Sequence, residues 1–275
     1  MENQAFNRYF GCMELPGVDG ISKDGMYLPV DPNNRSAGFV NISCGTGKLV
    51  CKSWAKYNVH SGFFEKGADS SAYPYPPQAL GNAPLNGAQG SAVEMFAPEQ
   101  IPVKAALAKS YGVFNKMYTA TPTMSWPNHM FTQSGTSCGL TATGHTYKEG
   151  GGPTAAYPQF TIYDSMALDN VSFAIYINTT CGIGGEPPCT DDPPGELIDH
   201  GMAGVARHVQ NFKSHTSFYE QAASGELPAF SWVSPNIDAC DHPCHDIAKG
   251  ERQLKDIYEA LRAGPAWDKT MFLVA

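Results

Sequence analysis

Residues 171–177 read Val171-Ser-Phe-Ala-Ile-Tyr-Ile177. β-Branched and aromatic side chains dominate this run, a composition that predicts a strand. On its C-terminal side, Met202, Val205, Ala206, Val209 and Phe212 recur at helical spacing, and Ala229-Phe-Ser-Trp-Val233 reads as a second strand. Leu254, Ile257, Tyr258 and Leu261 then form an amphipathic helix closed by Gly264-Pro265. On its N-terminal side, Pro102 opens a helix carrying Val103, Ala106, Leu107 and Tyr111, which Gly112 stops. Residues 113–118 read as a further strand, and Pro127 of Ser125-Trp-Pro127 marks the start of another helix. The run Thr270-Met-Phe-Leu-Val274 has the apolar continuity of a buried strand. Alternation of strand and helix predicts an α/β fold, a largely parallel sheet covered by helices on both faces.

Residues 14–90 interrupt this order. They are poor in periodic pattern and dense in Gly, Pro, Asn and Ser, which predicts a loop-rich insertion within a single domain spanning residues 1–275. The whole chain has 42% hydrophobic and 11% aromatic residues, enough to form a core, and its 28 glycines and 21 prolines exclude a coiled coil. A net charge of −8 argues against a surface that gathers nucleic-acid phosphates. No run of about 18 apolar residues is present, so no membrane-spanning helix is expected.

The eight cysteines lie at 12, 44, 51, 138, 181, 189, 240 and 244. An even count suits a secreted, disulfide-stapled chain, with Cys44/Cys51, Cys181/Cys189 and Cys240/Cys244 as nearby pairs and Cys44/Cys51 as a brace for the insertion. Zinc is the rival reading for the isolated cluster Cys240-Asp-His-Pro-Cys244-His245, which contains no CxxC. Glycosylation sequons at Asn34, Asn41, Asn170 and Asn178 agree with secretion.

The chemistry concentrates in Thr121-Pro-Thr-Met-Ser-Trp-Pro-Asn-His-Met130. Ser125 stands where a proline-initiated helix begins, so backbone N–H groups and the positive end of the helix dipole face any anion bound beside its hydroxyl. A serine hydroxyl is un-ionised at neutral pH and needs a base or a metal ion to become a nucleophile. The histidines at 60, 145, 200, 208 and 215 are expected to be solvated or structurally satisfied.

Ser125-Trp-Pro-Asn-His129 followed by Phe131-Thr-Gln-Ser-Gly-Thr136 resembles the nucleophile element of the alkaline-phosphatase-like superfamily, which reads Thr-Phe-Pro-Asn-His in nucleotide pyrophosphatases. A closer resemblance is to the phosphoesterase family of bacterial acid phosphatases, bacterial phospholipases C and plant non-specific phospholipases C. Three blocks carry it: Glu2-Asn3-Gln-Ala-Phe6-Asn-Arg-Tyr-Phe-Gly11, then Phe96-Ala-Pro-Glu-Gln-Ile-Pro102 through the nucleophile element to Gly139, and Asp241-His-Pro-Cys-His-Asp246 with Gly250, Tyr258, Leu261, Pro265, Trp267 and Thr270. The last is the most specific. Together they cover residues 2–13 and 91–274.

The resemblance implies an alkaline-phosphatase-like three-layer sandwich and an ester hydrolase that passes through a covalent phosphoenzyme. Carried over residue by residue, Ser125 is the nucleophile and a metal ligand, and Glu2 and Asn3 bind the same divalent ion through oxygen atoms. Asn128 and His129 contact the substrate, and His242 takes part in catalysis. The implied substrate is a phosphate ester or a phospholipid, with transient contact at a membrane surface and no transmembrane segment. His129 stands where the phospholipases carry arginine, and Gln4, Ala5, Asn7 and Arg8 also depart from the family's opening. A second ligand pair belongs to an Asp-Glu-His-Gly-Gly motif that follows a strand corresponding to Met271–Val274. On that reading residues 1–275 are part of a longer enzyme and inactive alone, and the alternative is an inactive paralogue serving as a secreted binding or structural protein.

Overall fold

The computed structural model describes residues 6–21, 26–29, 36, 38–47, 94–121, 125–140, 157–177, 203–235, 239–241 and 245–275. Its elements in chain order are α1 (Phe6–Phe10), β1 (Met26–Pro29), β2 (Phe39–Cys44), β3 (Glu94–Met95), α2 (Pro102–Ser110), α3 (Ser125–Ser134), α4 (Ile162–Leu168), β4 (Phe173–Ile177), α5 (Ala203–Ala206), β5 (Phe212–Ser214), α6 (His215–Ser224), β6 (Phe230–Val233) and α7 (Ile247–Ala263). The chain divides into two compact units, Met1–Pro122 with Asp238–Leu254, and Thr123–Ile237 with Lys255–Ala275. Among the described residues no helix is long and apolar enough to cross a membrane.

The second unit is organised by β4. It lies between β5 and β6 and pairs in parallel with both, Ile175 opposite Phe212 on one side and Trp232 on the other. All five of its residues are buried, as expected of a parallel strand covered on both faces. Successive side chains of a strand point to opposite faces. Phe173, Ile175 and Ile177 accordingly join Met130 of α3 with Tyr163 and Met166 of α4, whereas Ala174 and Tyr176 join Phe218 and Ala222 of α6 with Ile257 and Leu261 of α7. This is the expected α/β arrangement, helices on both faces of a parallel sheet. Helix α6 starts where the Ser214 hydroxyl accepts from the Ser217 amide at 3.0 Å and ends at Gly225, whose φ of +77° lies in the left-handed region.

In the first unit, β1 and β2 are antiparallel and β3 joins β2 in parallel; β1 and β2 lie within the loop-rich stretch 14–90. Tyr9, Phe10, Met13, Phe96, Ile101, Ala105 and Ile247 form the core. Helix α2 is present as expected, but it buries Lys104 and Ala105 and leaves Ala106 and Tyr111 exposed. Its inward stripe is therefore Ile101, Lys104, Ala105 and Ala108, turned from the expected one because carboxylates on other segments receive the lysine.

Four further expectations are corrected. Residues 113–118 form no strand: Asn115 accepts from the Asp19 amide at 2.8 Å and donates to the Gly17 carbonyl at 3.2 Å, which holds a turn there. The helical stripe over 202–212 breaks after α5, because Phe212 is drawn into β5 against β4 while Asn211 donates to the Phe173 carbonyl at 2.8 Å. Residues 270–274 pair with no described strand; Met271 is 84% exposed, and only Phe272 of the run packs onto the core. Cys44 is bonded to Cys12, not Cys51, since β2 brings it beside the turn that follows α1. Cys138 and Cys240 are thiols, and Cys51, Cys181, Cys189 and Cys244 lie outside the described residues.

Candidate functional site

Ser125 is the first residue of the ten-residue α3. The opening amides of a helix have no acceptor within the helix, so Pro127 in the first turn costs no hydrogen bond. Trp126, Met130 and Gln133 turn toward the protein; Met130 and Gln133 are buried and Trp126 packs against the core. The remaining spacing, i, i+3 and i+4, puts Ser125, Asn128 and His129 together on a second face, each half-buried. One helix thus presents the expected nucleophile with both expected substrate contacts, braced from behind by its apolar face. The Thr132 hydroxyl donates back to the Asn128 carbonyl at 3.0 Å, and the Ser134 hydroxyl to the Met130 carbonyl at 2.7 Å.

Glu2, Asn3 and His242 lie outside the described residues. Of the three expected metal ligands only Ser125 is described, and among the described residues no group of three or more His, Cys, Asp or Glu side chains could hold a metal ion. Of the 240–245 cluster, Cys240 Sγ lies 3.9 Å from His245 Nδ1, and His242 and Cys244 lie outside the described residues.

A second constellation, in the first unit, was not legible in the sequence. Lys104 Nζ lies 3.0 Å from Asp241 Oδ2 and 2.8 Å from Glu251 Oε1, and all three side chains are almost fully buried. Glu251 also caps α2, accepting from the Val103 amide at 2.6 Å. Tyr9 lies under the ammonium, 5.2 Å from Lys104 Nζ to its ring centroid, and stacks on Phe96, over which the Arg8 guanidinium sits at 5.3 Å. Burial, then the Asp241 carboxylate, push the Tyr9 phenol far above its ordinary range. Arg8 and Tyr9 come from the first family-like block, Phe96 and Lys104 from the second, Asp241 and Glu251 from the third. The blocks that carry the resemblance therefore converge on one buried charge network.

The second unit has its own buried carboxylate. Asp164 accepts from the Thr161 amide at 2.8 Å, the Thr161 hydroxyl at 3.0 Å, and Arg207 Nε and Nη2 at 3.1 and 2.9 Å, while His208 Nε2 lies 3.0 Å away. Burial acts to raise its pKa, but the Arg207, Thr161 and His208 hydrogen bonds together hold it below the ordinary value. His215 Nε2 lies 2.7 Å from the Ser234 carbonyl, and burial lowers the imidazole's pKa. Both histidines are satisfied structurally, as expected.

The model of the phosphoesterase family matches residues 1–275. The chain is 28% identical to non-specific phospholipase C1 of Arabidopsis thaliana, over all of this chain and 50% of that protein. It is 30% identical to non-specific phospholipase C6 of the same plant over 65% of this chain and 32% of that protein. It is 20% identical to phospholipase C A of Mycobacterium tuberculosis over all of this chain and 55% of that protein. The chain thus spans about half or less of the length of these relatives.

Proposed function

The chain belongs to the phosphoesterase family, and on that premise we propose that it carries the nucleophile half of a phospholipase C-like or acid-phosphatase-like hydrolase. The observation that carries this reading is the half-buried face of α3 on which Ser125, Asn128 and His129 stand together at the positive end of a helix dipole. In the proposed reaction the Ser125 oxygen attacks phosphorus in line and loses its proton as the P–O bond to the leaving alcohol breaks, giving a phosphoserine. Water then attacks phosphorus, releases the phosphate product and restores the hydroxyl. Asn128 and His129 orient the phosphoryl oxygens, and His242 serves proton transfer at the leaving group or the water.

The substrate class proposed is a phosphate monoester or a phospholipid, with transient contact at a lipid surface. A divalent cofactor with Glu2, Asn3 and Ser125 as ligands belongs to the same proposal, and loss of turnover on chelation, restored by added Mg²⁺ or Mn²⁺, tests it. The family model runs without a break through both units, which supports reading residues 1–275 as part of one domain. Secretion is proposed on the Cys12–Cys44 disulfide and on the exposed Asn170 sequon, which follows α4. A mobility shift on glycosidase treatment of protein from a secretory host checks this.

The full-length protein assayed on p-nitrophenyl phosphate and phosphatidylcholine tests the mechanism. Ser125→Ala is expected to lower kcat by about 10³-fold or more with the fold intact. Parental turnover in that variant removes Ser125 from the reaction.

A further inference from the structure

The disulfide of the first unit ties two segments that little else joins. Cys12 lies in the turn that follows α1, and Cys44 is the last residue of β2, 32 positions away. β2 pairs with β1 from Phe39 to Ile42, but among the described residues it meets β3 over two positions only, Ser43 opposite Glu94 and Cys44 opposite Met95. Just beyond Cys44, the Gly47 amide donates to the Met95 carbonyl at 3.0 Å and Gln100 Nε2 donates to the Gly47 carbonyl at 2.9 Å. The core of the unit, from Tyr9 to Ile247, takes no described side chain from β1 or β2, and Phe39 is 53% exposed. Helix α1 is fastened to that core without β2: the Phe96 amide donates to the Arg8 carbonyl at 2.8 Å, and the Phe96 ring stacks on Tyr9. An element with few buried apolar contacts opens locally at low free energy, so a covalent bond is what holds the strand pair to α1. Cys44 is exposed while Cys12 is half-buried, which leaves the bond open to a thiolate from one side. Exposed disulfides are the labile and regulatory ones.

We propose that the Cys12–Cys44 disulfide is a reducible latch: its opening by a dithiol reductant releases the β1–β2 pair from α1 while the apolar core of the unit stays folded. A thiolate of the reductant attacks Cys44 Sγ, the bond between the two protein sulfurs breaks, and its electron pair leaves on Cys12 Sγ, which takes up a proton. The reductant's second thiolate then attacks the mixed disulfide, Cys44 Sγ leaves and takes up a proton, and the reductant ends as a disulfide. Two electrons and two protons have passed from the dithiol to the chain, and a disulfide oxidant reverses the exchange. Secretion requires only that the bond forms; the latch concerns its opening, and it is independent of the reaction at Ser125.

The test uses full-length protein in native buffer, oxidised and after treatment with excess dithiothreitol. Differential alkylation with peptide mapping assigns the new thiols, and hydrogen exchange read by mass spectrometry follows β1 and β2 beside Phe96 and α2. Cys12 and Cys44 are expected to become thiols without denaturant, and exchange in β1 and β2 to rise about tenfold or more while Phe96 and α2 keep their protection. Oxidised glutathione is expected to restore the slow exchange. Cys12→Ser and Cys44→Ser are each expected to show the fast exchange with no reductant present, which separates this bond from any other that dithiothreitol opens. The parental protein, reduced after folding, carries the test even where a serine variant fails to fold. A bond that resists dithiothreitol until denaturant is added overturns the latch, and so does unchanged exchange in β1 and β2 once both sulfurs are thiols. Loss of protection throughout the first unit overturns it too, because the bond is then a staple of the whole unit.

Discussion

In the second unit the buried carboxylate of Asp164 finds its first partner three residues away in Thr161, and its cation, Arg207, remains half in solvent. In the first unit Glu251 and Asp241 share one ammonium, that of Lys104, which stands 147 positions before Glu251 and is itself almost fully buried. One arrangement is redundant, with several donors around one acid, the nearest of them three residues away. The other is long-range, with two acids meeting the one Lys104 ammonium. Several donors secure a cap at a helix start, whereas one buried lysine joins distant stretches of chain through Asp241, Glu251 and Tyr9.

Lys104→Met breaks the contrast most severely. It removes the buried ammonium that Asp241 and Glu251 both meet, and the expected cost is about 3–5 kcal/mol, read as a lower urea midpoint at unchanged slope. An acid titration sharpens the comparison from the other side. Folding lowers the Asp164 pKa, so its contribution is complete above the ordinary carboxyl value near 3.8 and is lost as pH falls through the lower folded value. Asp164→Asn is therefore expected to flatten the fall of Tm below about pH 4 while leaving its pH dependence above about pH 6 unchanged. The smallest effect tests the backbone of the second unit. Gly225→Ala places a Cβ at φ of +77° and 2.8 Å from Pro265 Cγ, with an expected cost of about 1 kcal/mol in thermal unfolding.

The same contrast separates what was legible in the sequence from what was not. β4 was readable because burial on both faces leaves an uninterrupted apolar run, and the strand starts within two residues of where that run does. Helix α7 was read only from Leu254 onward, yet it begins at Ile247. Gly250 and Glu251 look like a break and a solvated residue, and their true roles are set by Asp241 and Lys104, which no local window contains. Residues 113–118 had strand composition, but Asn115 reaches the 17–19 turn across 96 positions and dictates a bend instead. Cys44 was matched to its neighbour in sequence, while β2 gives it a neighbour in space. At the candidate site, Ser125, Asn128 and His129 were legible because their relation is internal to one helix. Lys104 was not, because a lysine in an amphipathic helix announces itself as buried only when its counter-ions are known.

β4 carries a consequence for how this protein can change. Both neighbouring strands hydrogen-bond to it, and its alternate residues supply two different cores. Adding or deleting a single residue between Phe173 and Ile177 exchanges those cores and strands the tyrosine among the wrong partners. The exposed turn around Asn115 has no such parity to preserve. Length variation among descendants of this gene is therefore expected to accumulate in the turn and to be purged from the strand, leaving the sheet's midline as the fixed ruler against which all other segments are measured.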